Sequence, residues 1–169
     1  MDLYLLRHAH ALPRETPGCP ADSLRPLTIK GRRQVRRLSQ VVKLLDLRFD
    51  LVLASPWLRA QQTASGLLSR AGLNLEPISA PGLAANRDPE RFLPMLMNLN
   101  PAPDSLLIVG HEPFLGNLAS LMVSNSAGFI LDFSKGALGR LEITAWKPRP
   151  KAKLKWLLTQ PVMRSLGCE

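Results

Sequence analysis

The sequence predicts an α/β fold built on a mostly parallel sheet, and three observations carry that prediction. Residues 3–6, 51–54 and 105–109 are short apolar runs, each followed by a turn and then a helical pattern. Unbroken apolar runs of this length read as strands covered on both faces, as parallel strands are. Strand followed by helix, repeated along the chain, is the pattern of an α/β sheet. With 169 residues, 46% of them apolar, and no Gly/Ser linker, the chain is expected to form one domain over 1–169 with a substantial core.

Each element has its own signal. The strand at 3–6 runs directly into Arg7-His8. Residues 12–27 contain Pro13, Pro17, Gly18, Pro20 and Pro26 and read as a loop. A loop that long in a compact domain often lies over a site. From Ile29, the apolar residues Val35, Leu38, Val42 and Leu45 recur at three- and four-residue steps with Arg and Lys between them, giving an amphipathic helix with a basic outer face. After the strand at 51–54, Ser55 and Pro56 read as the cap and first-turn residue of a second helix that continues through Leu58, Gln62, Leu67 and Leu68 to about Ala71. Residues 81–103 are rich in Pro and Asn, with room for a short helix over 90–98. The strand at 105–109 is followed by a helix from Pro113, with Leu115, Leu118, Leu121 and Met122 facing inward. Residues 138–143 and 154–158 read as late strands joined by a turn-rich segment at 147–151.

Composition narrows the function classes. Cys19 and Cys168 lie in a Pro-rich loop and near the C-terminus, with no CxxC or Cys/His cluster, so plain thiols are expected rather than a disulfide framework or a zinc site. No apolar stretch approaches the roughly 20 residues needed to span a bilayer. The first twelve residues lack the basic n-region of a secretory signal, so a soluble, cytoplasmic protein is expected. The net charge of +9 favours encounter with acidic partners without specifying a reaction. The basic runs at 30–43 and 147–155 read most simply as solvated faces.

The chemistry concentrates where strands end. In open α/β sheets ligands bind beyond the carboxyl ends of strands, and Arg7-His8 stands there after the first strand. Arg59 is about one turn into the helix after the second strand, and His111 follows the strand at 105–109. Helix N-termini at the same edge favour an anion. Phosphoryl transfer needs an in-line nucleophile and positive groups around the equatorial oxygens. A neutral imidazole on His8 supplies the nucleophile. Arg7 and Arg59 offer planar forks to phosphate oxygens, and His111 a further hydrogen bond. The arginines supply the positive charge, so neither a metal nor another cofactor is expected. Ser55 reads as a cap, Pro113 as a first-turn residue and His10 as a surface residue.

These residues also carry a family resemblance. Leu-Leu-Arg7-His8-Ala9 resembles the opening motif of the histidine phosphatase superfamily, usually Arg-His-Gly, with Ala9 replacing the glycine. The stretch from Ser55 through Arg59 to Ala64, and Gly110-His111-Glu112-Pro113, look like its second and third motifs. The size, the Asp22–Thr28 segment with Gly31, and Ser134-Lys135-Gly136 are similar to the small SixA-like phosphohistidine phosphatases. The resemblance implies a three-layer α/β/α sandwich and a phosphoenzyme on His8. It also implies that Arg25 reaches the phosphate from the Pro-rich loop as a substrate-binding residue, and that the partner is a phosphohistidine-bearing protein such as a histidine phosphotransfer domain. Larger branches add an acid that protonates an alkoxide leaving group. Only Asp88, in the matching stretch, and Glu112 are available here. An imidazole leaving group needs less help, so the missing acid favours phosphohistidine.

Two alternatives stand beside this reading. One is a phosphatase for small phosphoesters, with Asp88 or Glu112 as acid. The other is a non-catalytic basic module binding phosphorylated or nucleic-acid partners. An aromatic content of 5% leaves few rings to stack bases, which makes nucleic acid the weaker partner.

Overall fold

A computed structural model describes residues 1–124 and 131–168. Side-chain alternation in the central strands decides the layering. Along β1 (Asp2–Arg7), Tyr4 and Leu6 enter one apolar cluster while Leu3 and Leu5 enter the other. Along β4 (Ser105–Gly110), Leu107 and Val109 join the first, and Leu106 and Ile108 the second. Both faces of the sheet are therefore apolar, and both must be covered. Helices α1 (Ile29–Leu44), α2 (Leu58–Ala71) and α5 (Gln160–Ser165) cover the first face through residues such as Leu38, Leu67 and Met163. Helices α3 (Pro89–Met97) and α4 (Phe114–Ser124) cover the second through Phe92, Phe114 and Leu118. The product is a three-layer α/β/α sandwich.

The six-stranded sheet also contains β2 (Leu51–Ala54), β3 (Ile78–Ser79), β5 (Leu138–Ala145) and β6 (Lys151–Leu158), in the order β3-β2-β4-β1-β5-β6. The strands from β3 to β1 run parallel, while β5 and β6 run antiparallel to their neighbours. Register fixes what meets at the carboxyl edge. Arg7 lies opposite Gly110, and Ala54 opposite Val109, so β1, β2 and β4 finish almost level. Two further backbone bonds hold the residues beyond them: His8 N–H donates to the Gly110 carbonyl at 2.9 Å and Ser55 N–H to the Val109 carbonyl at 2.9 Å.

Several local expectations change. Helix α2 begins at Leu58 with Trp57 at its N-cap, so Ser55 and Pro56 precede the helix, and Ser55 does not cap it. The Ser55 hydroxyl accepts the Trp57 amide at 3.3 Å and is drawn into the carboxyl-edge cluster. Pro113 stands just before α4, where its carbonyl accepts from Asn117 at 3.0 Å. Strand β3 escapes sequence reading because it has two residues, both exposed. Strand β6 begins earlier than 154 because exposed Lys151 and Lys153 flank the buried Ala152, which breaks the apolar run. Among the described residues, no helix is long and apolar enough to cross a membrane.

Candidate active site

His8, Arg59 and His111 come together at the carboxyl edge of the sheet. His8 is 7% exposed and His111 2%, with ring centroids 5.0 Å apart. The His8 Nδ1 lies 2.7 Å from the Ala9 carbonyl, which can only accept, so Nδ1 carries the ring proton. Nε2 then bears the lone pair, and it accepts a hydrogen bond from Arg59 Nε at 3.1 Å. Burial lowers the His8 pKa from 6.5 to about 2; the neighbouring His111, Arg59 and Arg7 act in the same direction, against the Ala9 carbonyl. The imidazole is neutral at physiological pH.

Thr63 locks this arrangement. Its hydroxyl accepts the Ala9 amide at 3.1 Å and donates to the Arg59 carbonyl at 2.6 Å, one helical turn back along α2. The guanidinium of Arg59 lies 4.5 Å from the centre of the Trp57 ring. The Trp57 ring in turn packs against His111 at a centroid distance of 5.0 Å. Arg59 Nη1 also donates to the Asp22 carbonyl at 2.6 Å, which ties α2 to the Pro-rich loop.

His111 is held by Ser55, whose Oγ lies 2.8 Å from Nε2. Burial lowers the His111 pKa to about 3, with Arg59 adding to the effect and Asp22 opposing it. Arg7 donates through Nη1 to the Phe133 carbonyl at 2.6 Å. His111 Nδ1 and Arg7 Nε are buried and have no hydrogen-bond partner among the described residues. A buried polar group left unpaired costs about 1–3 kcal/mol, so two of them on the residues around His8 suit a site that receives a ligand.

Arg25 occupies the expected side of the site but is engaged with the protein: Nε donates to Asp22 Oδ1 at 2.6 Å and Nη1 to the Leu12 carbonyl. Asp22 gathers three arginines, with Arg14 at 2.9 Å, Arg25 at 2.6 Å and Arg59 at 3.7 Å. Burial pushes its carboxyl up, yet the hydrogen bonds from Arg14 and Arg25 outweigh this and lower it to about 2. Sequence reading gave Asp22, Thr63, Trp57 and the Ser55 hydroxyl no role here. Two signals were available: all four lie in stretches that carry the family resemblance, and the i,i+4 spacing of Arg59 and Thr63 puts both on one helix face. His10 is half-buried rather than a surface residue; its Nδ1 lies 2.8 Å from Thr28 Oγ1 and its amide donates to Gln34.

The two candidate acids are committed elsewhere. Asp88 caps α3 by accepting the Glu90 amide at 2.9 Å, and borders a separate cavity of about 510 Å3 between β3 and α3. None of Arg7, His8, Arg25, Arg59 and His111 lines that cavity, so chemistry rather than volume marks the site. Glu112 accepts from Phe133 N–H at 2.8 Å and Gly116 N–H at 3.1 Å. It thereby holds the segment whose carbonyl holds Arg7.

Comparison with known proteins identifies the family. Residues 3–84 match the family model of the histidine phosphatase superfamily (branch 1). The chain is 33% identical over 128 residues to the phosphohistidine phosphatase SixA of Escherichia coli K12, covering 71% of this chain and 73% of that protein. This chain belongs to the histidine phosphatase superfamily. An uncharacterised protein of Picosynechococcus is 37% identical over 139 residues, 82% of each chain. In fold, this superfamily member is similar to the protein histidine phosphatase SixA complexed with tungstate, with a TM-score of 0.82 at 24% identity over 98% of this chain and 99% of that one. It is also similar to the alpha-ribazole phosphatase of Shigella flexneri, with a TM-score of 0.69 at 23% identity over 91% and 95% of the two chains. Membership of the histidine phosphatase superfamily supports phosphatase activity.

Proposed function

We propose that this phosphatase removes the phosphoryl group from phosphohistidine in a protein, through a phosphoenzyme on His8 Nε2. The observation that carries the reading is the paired state of the His8 ring, with the proton on Nδ1 and the lone pair on Nε2 beside a guanidinium. As substrate binds, the Arg59 Nε–H shifts from Nε2 to a phosphoryl oxygen, which frees the lone pair. Nε2 then forms a bond to phosphorus while the P–N bond of the substrate breaks. The leaving imidazole nitrogen keeps the electron pair and takes a proton from solvent. In the second step a water oxygen attacks phosphorus, the bond to Nε2 breaks, and inorganic phosphate departs.

Arg7 and Arg59 stabilise the charge on the equatorial oxygens, and His111 donates from Nδ1 while Ser55 hydrogen-bonds its other nitrogen. Arg25 joins this set as a substrate-binding residue by exchanging an Asp22 contact for a phosphoryl oxygen. Phosphohistidine is favoured over an ester because Asp88 and Glu112 are tied to backbone amides, which suits a leaving group that needs no dedicated acid. The likeness to SixA supports the same choice. The proposed setting is the cytoplasm, with a histidine phosphotransfer domain as partner and phosphate as product.

The test uses a domain phosphorylated on histidine with radiolabelled phosphate, mixed with the enzyme and quenched in alkali. Label should pass transiently to the enzyme, and His8→Ala should abolish both that transfer and phosphate release. Turnover retained by His8→Ala would overturn the mechanism. Faster turnover of sugar phosphates than of the domain would overturn the substrate.

A further inference from the structure

One side of the mouth carries cations that the phosphoryl chemistry does not use. Lys135 lies on the segment that closes the site: the next residue, Gly136, donates its N–H to the Arg7 and His8 carbonyls, both at 3.2 Å, and Gln34 Nε2 donates to the Lys135 carbonyl at 3.3 Å. Its side chain is exposed, yet partial burial and then the charges of Arg7, Arg25, Lys30 and Arg59 hold its ammonium below the ordinary range. The charges acting most strongly on Lys135 are thus all positive. Near Lys135, Lys30 is the second residue of α1 and is also exposed; the start of α1 is held beside His10, whose carbonyl accepts the Thr28 N–H at 3.1 Å. His10 lies within the field of both lysines, which together with burial lower its pKa. A cavity of about 250 Å3 opens between His10, Arg14, Arg25 and Lys135, where Glu15 is the one acidic lining residue against three cationic ones.

The arginines and the lysines differ in how far they are neutralised. Arg14 and Arg25 share the Asp22 carboxylate. Among the described residues, neither Lys30 nor Lys135 forms a salt bridge. Two unneutralised ammonium groups beside an already positive cage raise the potential there, an arrangement that favours an anionic partner. A small phosphate ester leaves the region outside the cage empty, whereas a protein substrate must lie across it.

We infer that Lys30 and Lys135 form an anion subsite at the mouth, which takes carboxylates on the surface of the phosphoprotein beside its phosphohistidine. The inference rests on the proposed function and deepens it: the enzyme selects phosphohistidine set in an acidic surface. Complementary charge at an interface rim acts mainly on association, so the effect should appear in kcat/KM and fade with salt.

The experiment compares the wild type with Lys30→Glu/Lys135→Glu and with the milder Lys30→Ala/Lys135→Ala on two substrates. One is free phosphohistidine; the other is a phosphorylated histidine phosphotransfer domain with acidic residues beside its histidine. Reversing both charges should lower kcat/KM for the domain about tenfold, with a smaller loss for the alanine pair. Free phosphohistidine should be hydrolysed at the wild-type rate by both variants. The loss on the domain should shrink between about 50 and 200 mM salt as screening grows. Unchanged rates on the domain would overturn the subsite, and so would an equal loss on both substrates, which would assign the lysines to the phosphoryl cage. Binding of the unphosphorylated domain separates the two levels. If the wild type binds it and the reversal variant does not, the subsite stands even where turnover of the domain is absent and the proposed substrate fails. Equal binding by both proteins, or tighter binding of single-stranded nucleic acid than of the domain at the same lysines, would overturn it.

Discussion

Acidification should destabilise this protein through the same two histidines that make the site. His8 titrates near 6.5 when unfolded and at about 2 when folded, and His111 at about 3 when folded, in both cases chiefly because burial disfavours the cation. Each folded pKa lies below its unfolded one, so between them the unfolded chain binds more protons. Stability is therefore lost as pH falls below 6.5 and is present in full above it. From about pH 7.5 to about pH 5.5, each histidine contributes a loss of about 1.4 kcal/mol, and the pair about 2.7 kcal/mol. Urea unfolding in phosphate-free buffers of constant ionic strength measures this, with His8→Asn and His111→Asn as controls. Removal of one histidine should leave about half of the slope. The weaker contribution of His10 and the opposing one of Glu112, whose carboxyl is raised by burial, are common to all three proteins and cancel in the comparison. Inorganic phosphate should flatten the wild-type slope, because an anion in the cage favours protonated histidine. Identical slopes in the wild type and both variants would show that the rings are not held neutral, and would remove the basis for a free lone pair on His8.

The remaining predictions concern positioning and packing. Ser55→Ala removes the partner of His111 Nε2 and should lower kcat about tenfold, equivalent to about 1.4 kcal/mol, with little change in KM; phosphate-release kinetics at several substrate concentrations separate the two. Glu112→Gln keeps one acceptor for two backbone donors and should cost about 2 kcal/mol by urea unfolding. Its rates on a phosphohistidine and on a phosphoester should fall by the same factor, whereas a general acid would lose ester hydrolysis selectively. Gly31→Ala would place a Cβ 2.1 Å from the His10 carbonyl oxygen, forcing backbone apart where α1 meets the loop after β1. A loss of about 1–3 kcal/mol in thermal or urea unfolding is expected.

The amino-acid order alone determined the elements that carry regular apolar patterns. Buried parallel strands must be apolar on both faces, so β1, β2 and β4 appear as unbroken runs, and α1 and α2 as helical repeats in residue type. Because strand ends and helix starts follow from those patterns, His8, Arg59 and His111 could be assigned to a common edge before any coordinates. What sequence could not supply was pairing between residues far apart in the chain. Ser55 meets His111 across 56 positions and Arg7 meets the Phe133 carbonyl across 126, contacts created by strand register and leaving no periodic trace. Asp22 reads as one more polar residue in a Pro-rich loop until folding sets three arginines around it. Tertiary structure likewise decided that Asp88 and Glu112 serve backbone amides, and that Lys30 lies close enough to act on Lys135, 105 positions away. Local sequence encodes burial and periodicity, whereas a site is a set of long-range distances that exist only once the sheet is assembled.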